Sequence, residues 1–247
     1  APVVCMTHSL ASDGGMWAEQ VPDLLAGGFR VLRIDMRGHG GSDPVGGAYA
    51  MDQLADDVAA VLGALGIAKV HYIGLSIGGM LGQAFALGHR DRLLSAMWCD
   101  TAPQTPPGSQ QVWRDRQKIV RDAGSLEPIA DMTTERWLTD KVKAERPGRW
   151  HQIRDTVAGT TAVGYLGCTD AIRDFDFVPR LGEVKVPVLT VCGSDDVGTP
   201  PEANKRIASL VANGRYAEIA AARHFPNVEH PAEFNTIMMS WLKENAR

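Results

Sequence analysis

The sequence lacks the features that mark several classes of protein. No apolar run approaches the ~18 residues that would span a bilayer, and no charged-then-apolar signal segment opens the chain. Of its 247 residues only 6% are aromatic, and its four cysteines show neither CxxC nor Cys/His ligand spacing: Cys5, Cys99, Cys168 and Cys192. We therefore expect buried free thiols in a reducing compartment, no metal site, and a soluble cytoplasmic protein.

An excess of positive charge is also missing. The chain carries 25 Lys and Arg against 29 Asp and Glu, a formal net charge of −4. Without a basic stripe, neither nucleic acid nor an anionic membrane is an expected partner. There is no phosphate-cradling Gly-Lys-Ser/Thr loop and no metal-spaced histidine cluster, so no cofactor is expected. What remains is an ordinary globular composition, with 45% apolar and 22% charged residues.

Short β-branched segments alternate with helical patterns along most of the chain. We predict strands at about 2–6, 30–35, 69–75, 93–99, 186–192 and 215–220, and helices at 51–65, 77–88, 202–212 and 232–244. This alternation predicts an α/β fold with a mainly parallel sheet and helices on both faces. The pattern changes between about 102 and 180, where a Pro/Gly-rich stretch precedes charged helical segments. We expect a core of residues 1–101 and 181–247 with an inserted helical cap at 102–180.

A Gly-x-Ser-x-Gly pattern lies between a predicted strand and a predicted helix. It reads Gly74-Leu75-Ser76-Ile77-Gly78. Strand, sharp turn and helix are the setting in which a serine is held in a strained turn with its hydroxyl projecting from the sheet. Ser76 is therefore the candidate nucleophile, and the plainer alternative is a glycine-rich turn in which Ser76 caps the helix.

A serine hydroxyl is a poor nucleophile at neutral pH, so a base and an acid must follow it in the chain. Asp195 and Asp196 come after one predicted strand, and His224 comes directly after the next. Both loops lie at carboxyl ends of strands, where open α/β sheets place their sites. The interval to Thr199-Pro200 favours Asp196 as the acid. His224 is favoured as the base over His230, which fits a capping or surface residue.

Ester hydrolysis also needs hydrogen-bond donors for the tetrahedral oxyanion. The backbone N–H of Ile77, directly after the serine, is one candidate, and the N–H of Leu10 in the loop after the first strand is the second. His8 in that loop, with Arg37 and His39 in the 35–42 turn, is expected to stabilise loops and to take no part in the chemistry.

These pieces resemble an α/β-hydrolase, and within that superfamily they are most similar to the 3-oxoadipate enol-lactonase group of esterases and lactonases. The resemblance implies a cofactor-free serine hydrolase that cleaves a small-molecule carboxylic ester or lactone through an acyl-enzyme. The matching segments span nearly the whole chain: Ser9-Leu10, Met16-Trp17, 35–42, 74–79, Arg136-Trp137, 164–174, 196–200 and 224–231.

Two departures from that group affect the interpretation. Trp137 is followed by Leu138-Thr139-Asp140, where such lactonases usually read Phe-Thr-Pro, so the substrate stays open between the enol-lactone and small uncharged esters. The usual pair of N-terminal strands is also absent. The chain opens on a strand-like run at Val3, so we expect either a truncated or processed chain or a compact variant with a shortened sheet edge.

The cap is expected to shape the substrate pocket. Trp137 is the candidate pocket wall, because an aromatic in a charged segment gains most by facing an apolar cleft. The cations of the cap are more simply interpreted as solvated helix faces: Arg136, Lys141, Lys143 and Arg149. Activity on small uncharged esters is then expected to match that on the anionic lactone. C–C bond hydrolysis or perhydrolysis on the same triad, and a triad-retaining ligand receptor, are the alternative functions.

Overall fold

The computed structural model describes residues 1–246, and its centre is one six-stranded sheet. The strands are β1 (Val3–Thr7), β2 (Arg30–Ile34), β3 (Val70–Leu75), β4 (Leu93–Cys99), β5 (Val188–Gly193) and β6 (Gly214–Ile219). Their order is β2-β1-β3-β4-β5-β6, and every neighbouring pair is parallel. The prediction of a parallel sheet whose first strand begins at Val3 is confirmed.

Eleven α-helices accompany the sheet. The four predicted helices form as α2, α3, α9 and α11, and the full set is α1 (Val21–Ala26), α2 (Met51–Ala64), α3 (Ile77–Gly88), α4 (Gln110–Ala123), α5 (Glu127–Trp137), α6 (Asp140–Glu145), α7 (Pro147–Gly159), α8 (Ala162–Arg173), α9 (Pro201–Leu210), α10 (Pro226–Glu229) and α11 (Pro231–Asn245). No helix in this described stretch is long and apolar enough to cross a membrane.

The burial of the strands explains their composition. Every residue of β3 and β5 is buried, because helices cover both faces of the sheet, and such strands are apolar throughout rather than alternating. The edge strands β2 and β6 are partly exposed. Helix α2 buries one stripe, Leu54, Val58 and Leu62, and Gly66, with φ 64°, follows its end.

The chain leaves the sheet after β4 and returns at β5. Helices α4 to α8 lie between these two strands, and an antiparallel bridge between Gln104 and Asp176 joins the outgoing and returning segments. Trp137 and Trp150 are buried in this helical region although the surrounding sequence is highly charged. The region therefore has an apolar side that faces the core.

Candidate active site

Ser76 lies in the turn between β3 and α3. Its backbone has φ 59° and ψ −119°, a combination that costs a non-glycine residue about 1–3 kcal/mol. The Ser76 N–H donates to the Cys99 carbonyl at 2.9 Å, and the Thr101 hydroxyl donates to the Ser76 carbonyl at 2.8 Å. The surrounding hydrogen bonds therefore hold the serine in a conformation that it would not adopt by itself.

The glycines on either side of Ser76 leave room for this turn. A Cβ atom on Gly74 would lie 2.2 Å from the Gly78 carbonyl oxygen, and a Cβ atom on Gly78 would lie 2.6 Å from the Thr7 carbonyl oxygen. Both distances are shorter than van der Waals contact. The Gly-x-Ser-x-Gly pattern thus reflects a close approach of backbone to backbone.

Asp196 and His224 form a buried pair across the ends of β5 and β6. The Asp196 Oδ2 atom lies 2.8 Å from His224 Nδ1 and accepts the Thr199 hydroxyl at 2.7 Å. Its Oδ1 atom accepts the Gly198 N–H at 2.8 Å. Burial alone raises the pKa of Asp196, but the charge and hydrogen bond of His224, with the bonds from Thr199 and Gly198, outweigh burial and lower the pKa to about 2. Asp196 is therefore ionised at neutral pH.

The competing residues lie elsewhere. Asp195 is exposed, and its carboxylate accepts a hydrogen bond from the Ser194 hydroxyl at 2.8 Å. His230 is half-buried at the start of α11, with Nε2 3.3 Å from the Ala221 carbonyl oxygen. Ser76, Asp196 and His224, by contrast, line the same cavity.

Two backbone N–H groups beside Ser76 have no acceptor. Within residues 1–246, neither the N–H of Leu10 nor that of Ile77 donates a hydrogen bond to the protein. Both residues are buried, and a buried N–H without a partner is uncommon in folded proteins. The structure thus leaves both predicted oxyanion donors free.

Two neutral histidines fix the loop that carries Leu10. His8 Nδ1 donates to the Ser9 carbonyl at 2.7 Å, and its Nε2 accepts the Met36 N–H at 2.9 Å. His39 Nε2 accepts the Ala11 N–H at 3.1 Å. Burial lowers the pKa of His8 and lowers that of His39 to about 3. The two neutral rings therefore stabilise the loop that carries Leu10 without adding charge to it.

We name the space in front of Ser76 the catalytic cavity. Its volume is about 110 Å³, and residues of α4, α5 and α8 help to line it. Trp137 is one of these residues. Its ring stacks on Phe225 at 4.5 Å between centroids and lies nearly parallel to His224 at 6.3 Å. The Phe225 N–H donates to the Trp137 carbonyl at 3.1 Å. Trp137 therefore connects the helical region to the loop that holds His224.

Two arginines also line the catalytic cavity, Arg116 from α4 and Arg136 from α5. Both are half-buried, and across residues 1–246 neither guanidinium forms an ion pair or a hydrogen bond with the protein. Among the described residues that line the cavity, Asp196 is the one with a carboxylate, and it is bonded to His224. This placement differs from the sequence interpretation of Arg136 as part of a solvated helix face.

The other three cations that the sequence analysis assigned to solvated helix faces lie outside this cavity. Lys143 pairs with Glu135 at 3.1 Å, Arg149 pairs with Glu19 at 2.8 Å, and Lys141 is exposed. Arg116 was missed by the sequence interpretation. The sequence signal for Arg116 was Trp113, an aromatic residue three positions earlier on the same helix. In the structure the Arg116 guanidinium lies over the Trp113 ring, 5.3 Å from its centroid.

One buried group of side chains has the composition of a metal site. Potential ligand atoms of Asp100, Cys192 and Asp196 lie within 4.8 Å of one another. Burial and the charge of Asp196 raise the pKa of Asp100 well above its usual value, and burial likewise raises the pKa of the Cys192 thiol. A metal ion would have to displace protons from both groups and compete with His224 for Asp196. The donor set does not fit a resident metal.

Comparisons with known proteins agree with this geometry. A family model described as the alpha/beta hydrolase fold matches residues 2–231. The 3-oxoadipate enol-lactonase 2 of Acinetobacter baylyi is 31% identical over 242 residues, which cover 98% of this chain and 89% of that protein.

Solved structures give the same result. The enol-lactonase from Burkholderia xenovorans LB400 is 35% identical with a TM-score of 0.94, and the match covers 98% of this chain and 92% of that one. A thermophilic esterase from Thermogutta terrifontis is 28% identical with a TM-score of 0.92, with coverage of 99% and 90%. The resemblance inferred from the motifs is confirmed, and these relatives support hydrolase activity. The chain belongs to the α/β-hydrolase fold family.

Proposed function

We propose that this protein is a serine hydrolase that cleaves carboxylic esters or lactones through an acyl-enzyme. One observation supports this most strongly: a strained serine, a buried Asp–His pair and Leu10 all border one small cavity, and Ile77, whose N–H is also unpaired within residues 1–246, directly follows the serine. These are the parts that acyl transfer requires, namely a nucleophile, a base with its orienting acid, and donors for an oxyanion.

The proposed reaction begins with attack of the Ser76 hydroxyl oxygen on the substrate carbonyl carbon. His224 takes the hydroxyl proton through Nε2, while Asp196 holds Nδ1–H and stabilises the imidazolium. The N–H groups of Leu10 and Ile77 stabilise the oxyanion. His224 then gives its proton to the leaving alcohol oxygen, which for a lactone stays attached to the acyl group. Water, activated by His224, attacks the acyl-enzyme and releases the acid.

The two parts of the chain have separate tasks in this proposal. Residues 1–101 and 181–247 form the core that supplies the reacting groups, and residues 102–180 form a cap that supplies Arg116, Arg136 and Trp137 to the cavity. A half-buried cation without a counterion is costly to desolvate, and a substrate anion would offset that cost. The preferred substrate is therefore an ester or lactone that carries a carboxylate, and uncharged esters are poorer substrates.

The names of two relatives also support a substrate that carries a carboxylate. The Acinetobacter baylyi protein is named for the enol-lactone of 3-oxoadipate, a dicarboxylic acid. The Thermogutta terrifontis esterase is described with malate bound, another dicarboxylate. The substrate carboxylate of this protein would lie between the two guanidinium groups.

The substrate class is tested with 3-oxoadipate enol-lactone and its methyl ester, which differ in one negative charge. A hydrogen bond to a charged group contributes about 1.5–3 kcal/mol, so Arg116→Gln or Arg136→Gln should lower kcat/KM for the acid about 10- to 150-fold and leave the methyl ester within a few-fold. Arg114→Gln is the matched control, since Arg114 is exposed and lies on α4, the helix that carries Arg116. Equal losses on both substrates would remove the arginines from carboxylate binding.

We also propose a cytoplasmic location. All four cysteines are buried free thiols, which supports a reducing compartment.

A further inference from the structure

A second space opens beside the catalytic cavity, and we name it the outer chamber. It is bordered by residues 102–109, by the first turns of α4 and α9, and by Phe175. The two spaces adjoin, because both are lined by the same residues at their junction: Met80, Trp113, Arg116, Arg136, Ile172, Gly198 and Thr199. A ligand held at Ser76 that passes between these residues would enter the outer chamber.

The volumes show that the catalytic cavity alone holds little more than the reacting group. Its volume is about 110 Å³, whereas sites for drug-sized ligands occupy about 300–1,000 Å³. The outer chamber, at about 460 Å³, is within that range. A substrate larger than a small ester or lactone must place its remaining atoms there.

The walls of the outer chamber are mostly apolar, and the polar side chains among them are Gln104, Thr105, Ser109, Thr199, Arg116, Arg136 and Arg206. Pro106 and Pro107 form part of one wall, and their fixed φ angles remove the entropy cost of ordering a wall when a ligand binds. Val112 lies in the wall as well although 53% of it is exposed. No Asp or Glu is found among the lining residues in the part of the chain that the structure describes. The arginines disfavour a cationic arm, and the apolar majority of the lining favours a hydrocarbon one.

We propose that the outer chamber is a subsite for an apolar arm of the substrate, a linear alkyl chain or an aryl group attached on the acyl or the alcohol side of the ester bond. This inference rests on the proposed serine hydrolase function, since the arm is defined relative to an ester held at Ser76. It extends that function by adding a preference for esters with a long apolar arm.

The test measures kcat/KM along two series of esters. The first is p-nitrophenyl acetate, butanoate and octanoate, which lengthens the acyl side, and the second is ethyl, butyl and octyl acetate, which lengthens the alcohol side. Because one buried methylene is worth a factor of about four, burial of two or more methylenes should give a rise of at least about tenfold from the shortest to the longest ester in one series. The series that shows the rise identifies the side on which the arm lies.

The matched variants are Val112→Trp, which fills the outer chamber, and Ile119→Trp on the same helix. Ile119 is exposed by 43% and lines neither space. If the arm lies on the acyl side, Val112→Trp should lower the octanoate-to-acetate ratio of kcat/KM about tenfold. If the arm lies on the alcohol side, it should lower the ratio for octyl acetate over ethyl acetate by the same factor. Ile119→Trp should keep the wild-type ratios. A flat length dependence in both wild-type series, or equal ratios in both variants, would overturn the proposal.

A second measurement needs no variant. Alkyl boronic acids add to an active-site serine, so octyl boronic acid should inhibit the wild-type protein at least about tenfold more strongly than methyl boronic acid. Equal inhibition would overturn a subsite on the acyl side. A failure of the serine hydrolase function is distinguishable, because the wild-type protein would then hydrolyse no p-nitrophenyl acetate at all.

Discussion

Replacing Asp196 by asparagine should abolish most activity because the amide cannot satisfy both of its neighbours. Asp196 Oδ2 faces His224 Nδ1 and Oδ1 accepts the Gly198 N–H, so both oxygens serve as acceptors. If the amide oxygen faces Gly198, its NH2 group faces His224 Nδ1. That ring nitrogen then has to accept, which moves the histidine proton to Nε2, where it blocks transfer from Ser76.

The reverse orientation of the asparagine is also unfavourable. Its NH2 group would then oppose the Gly198 N–H, and a buried donor without an acceptor costs about 1–3 kcal/mol. The first orientation is therefore expected to dominate, with the wrong histidine tautomer. Loss of about 10⁴ in kcat is the scale known for such a tautomer change in a serine triad. Asp195→Asn is the control, since that exposed carboxylate, within residues 1–246, accepts a hydrogen bond from Ser194 alone.

The same substitution should change acid stability in a defined pH window. The pKa of Asp196 lies at about 2, against a usual value of 3.8, which corresponds to about 2 kcal/mol. Because the folded-state pKa is lowered, this stabilisation is complete above about pH 4 and is lost as the pH falls towards 2. The wild-type protein should therefore lose about 2 kcal/mol over that window through this group, and Asp196→Asn should lack that contribution.

The assays are p-nitrophenyl acetate turnover and urea unfolding of wild type, Asp196→Asn and Asp195→Asn at pH 7 and at pH 3. Activity should fall about 10⁴-fold in Asp196→Asn and change less than about twofold in Asp195→Asn. A larger loss in Asp195→Asn would show that the wrong carboxylate has been assigned. Identical pH dependence of unfolding in all three proteins would refute the assigned pKa of Asp196.

Three further substitutions test other parts of the site. Ser76→Ala should lower ester turnover by roughly 10⁴ to 10⁶ with an unchanged far-UV spectrum, and more than a tenth of wild-type turnover would exclude the serine mechanism. Gly74→Ala forces a Cβ to 2.2 Å from the Gly78 carbonyl oxygen, so the free energy of unfolding should drop by about 1–3 kcal/mol or more in urea titrations; an unchanged value would contradict the close approach. Trp137→Ala should cost about 3–5 kcal/mol of stability and raise KM more than it lowers kcat; an unchanged KM would remove Trp137 from the pocket.

The proposed reacting groups could be located from the sequence because each lies in a recognisable local pattern. Ser76 lies between glycines, of which Gly74 is required by a contact with Gly78 and Gly78 by a contact with Thr7 on the neighbouring strand, and Asp196 and His224 lie in loops that follow strands. Parallel strands bring their carboxyl ends to one edge of the sheet, so three loops that are distant in sequence meet there. The strands themselves were readable because sheets covered on both faces need continuous apolar segments.

The side chains proposed to bind the substrate carboxylate could not be predicted in the same way. Arg116 and Arg136 lie on charged helices where neighbouring arginines, such as Arg114 and Arg121, have the same local sequence character. Which of them faces the cavity depends on how α4 and α5 are rotated and packed. That rotation is set by contacts between helices, to which the charge pattern of one helix is a weak guide.

Substrate preference can change more readily than the reaction itself, because the two depend on different parts of the site. The proposed reaction depends on backbone features, namely a strained φ at Ser76 and the N–H groups of Leu10 and Ile77, and few substitutions preserve them. The proposed substrate selection depends on the side chains of Arg116 and Arg136, whose guanidinium groups form no ion pair or hydrogen bond across residues 1–246. Replacing either arginine breaks no hydrogen bond or ion pair described in residues 1–246, and for Arg116 it removes the contact with the Trp113 ring, so it should alter charge preference with a small cost in stability. New substrate preferences are therefore more accessible through Arg116 and Arg136 than through any residue that touches the ester bond.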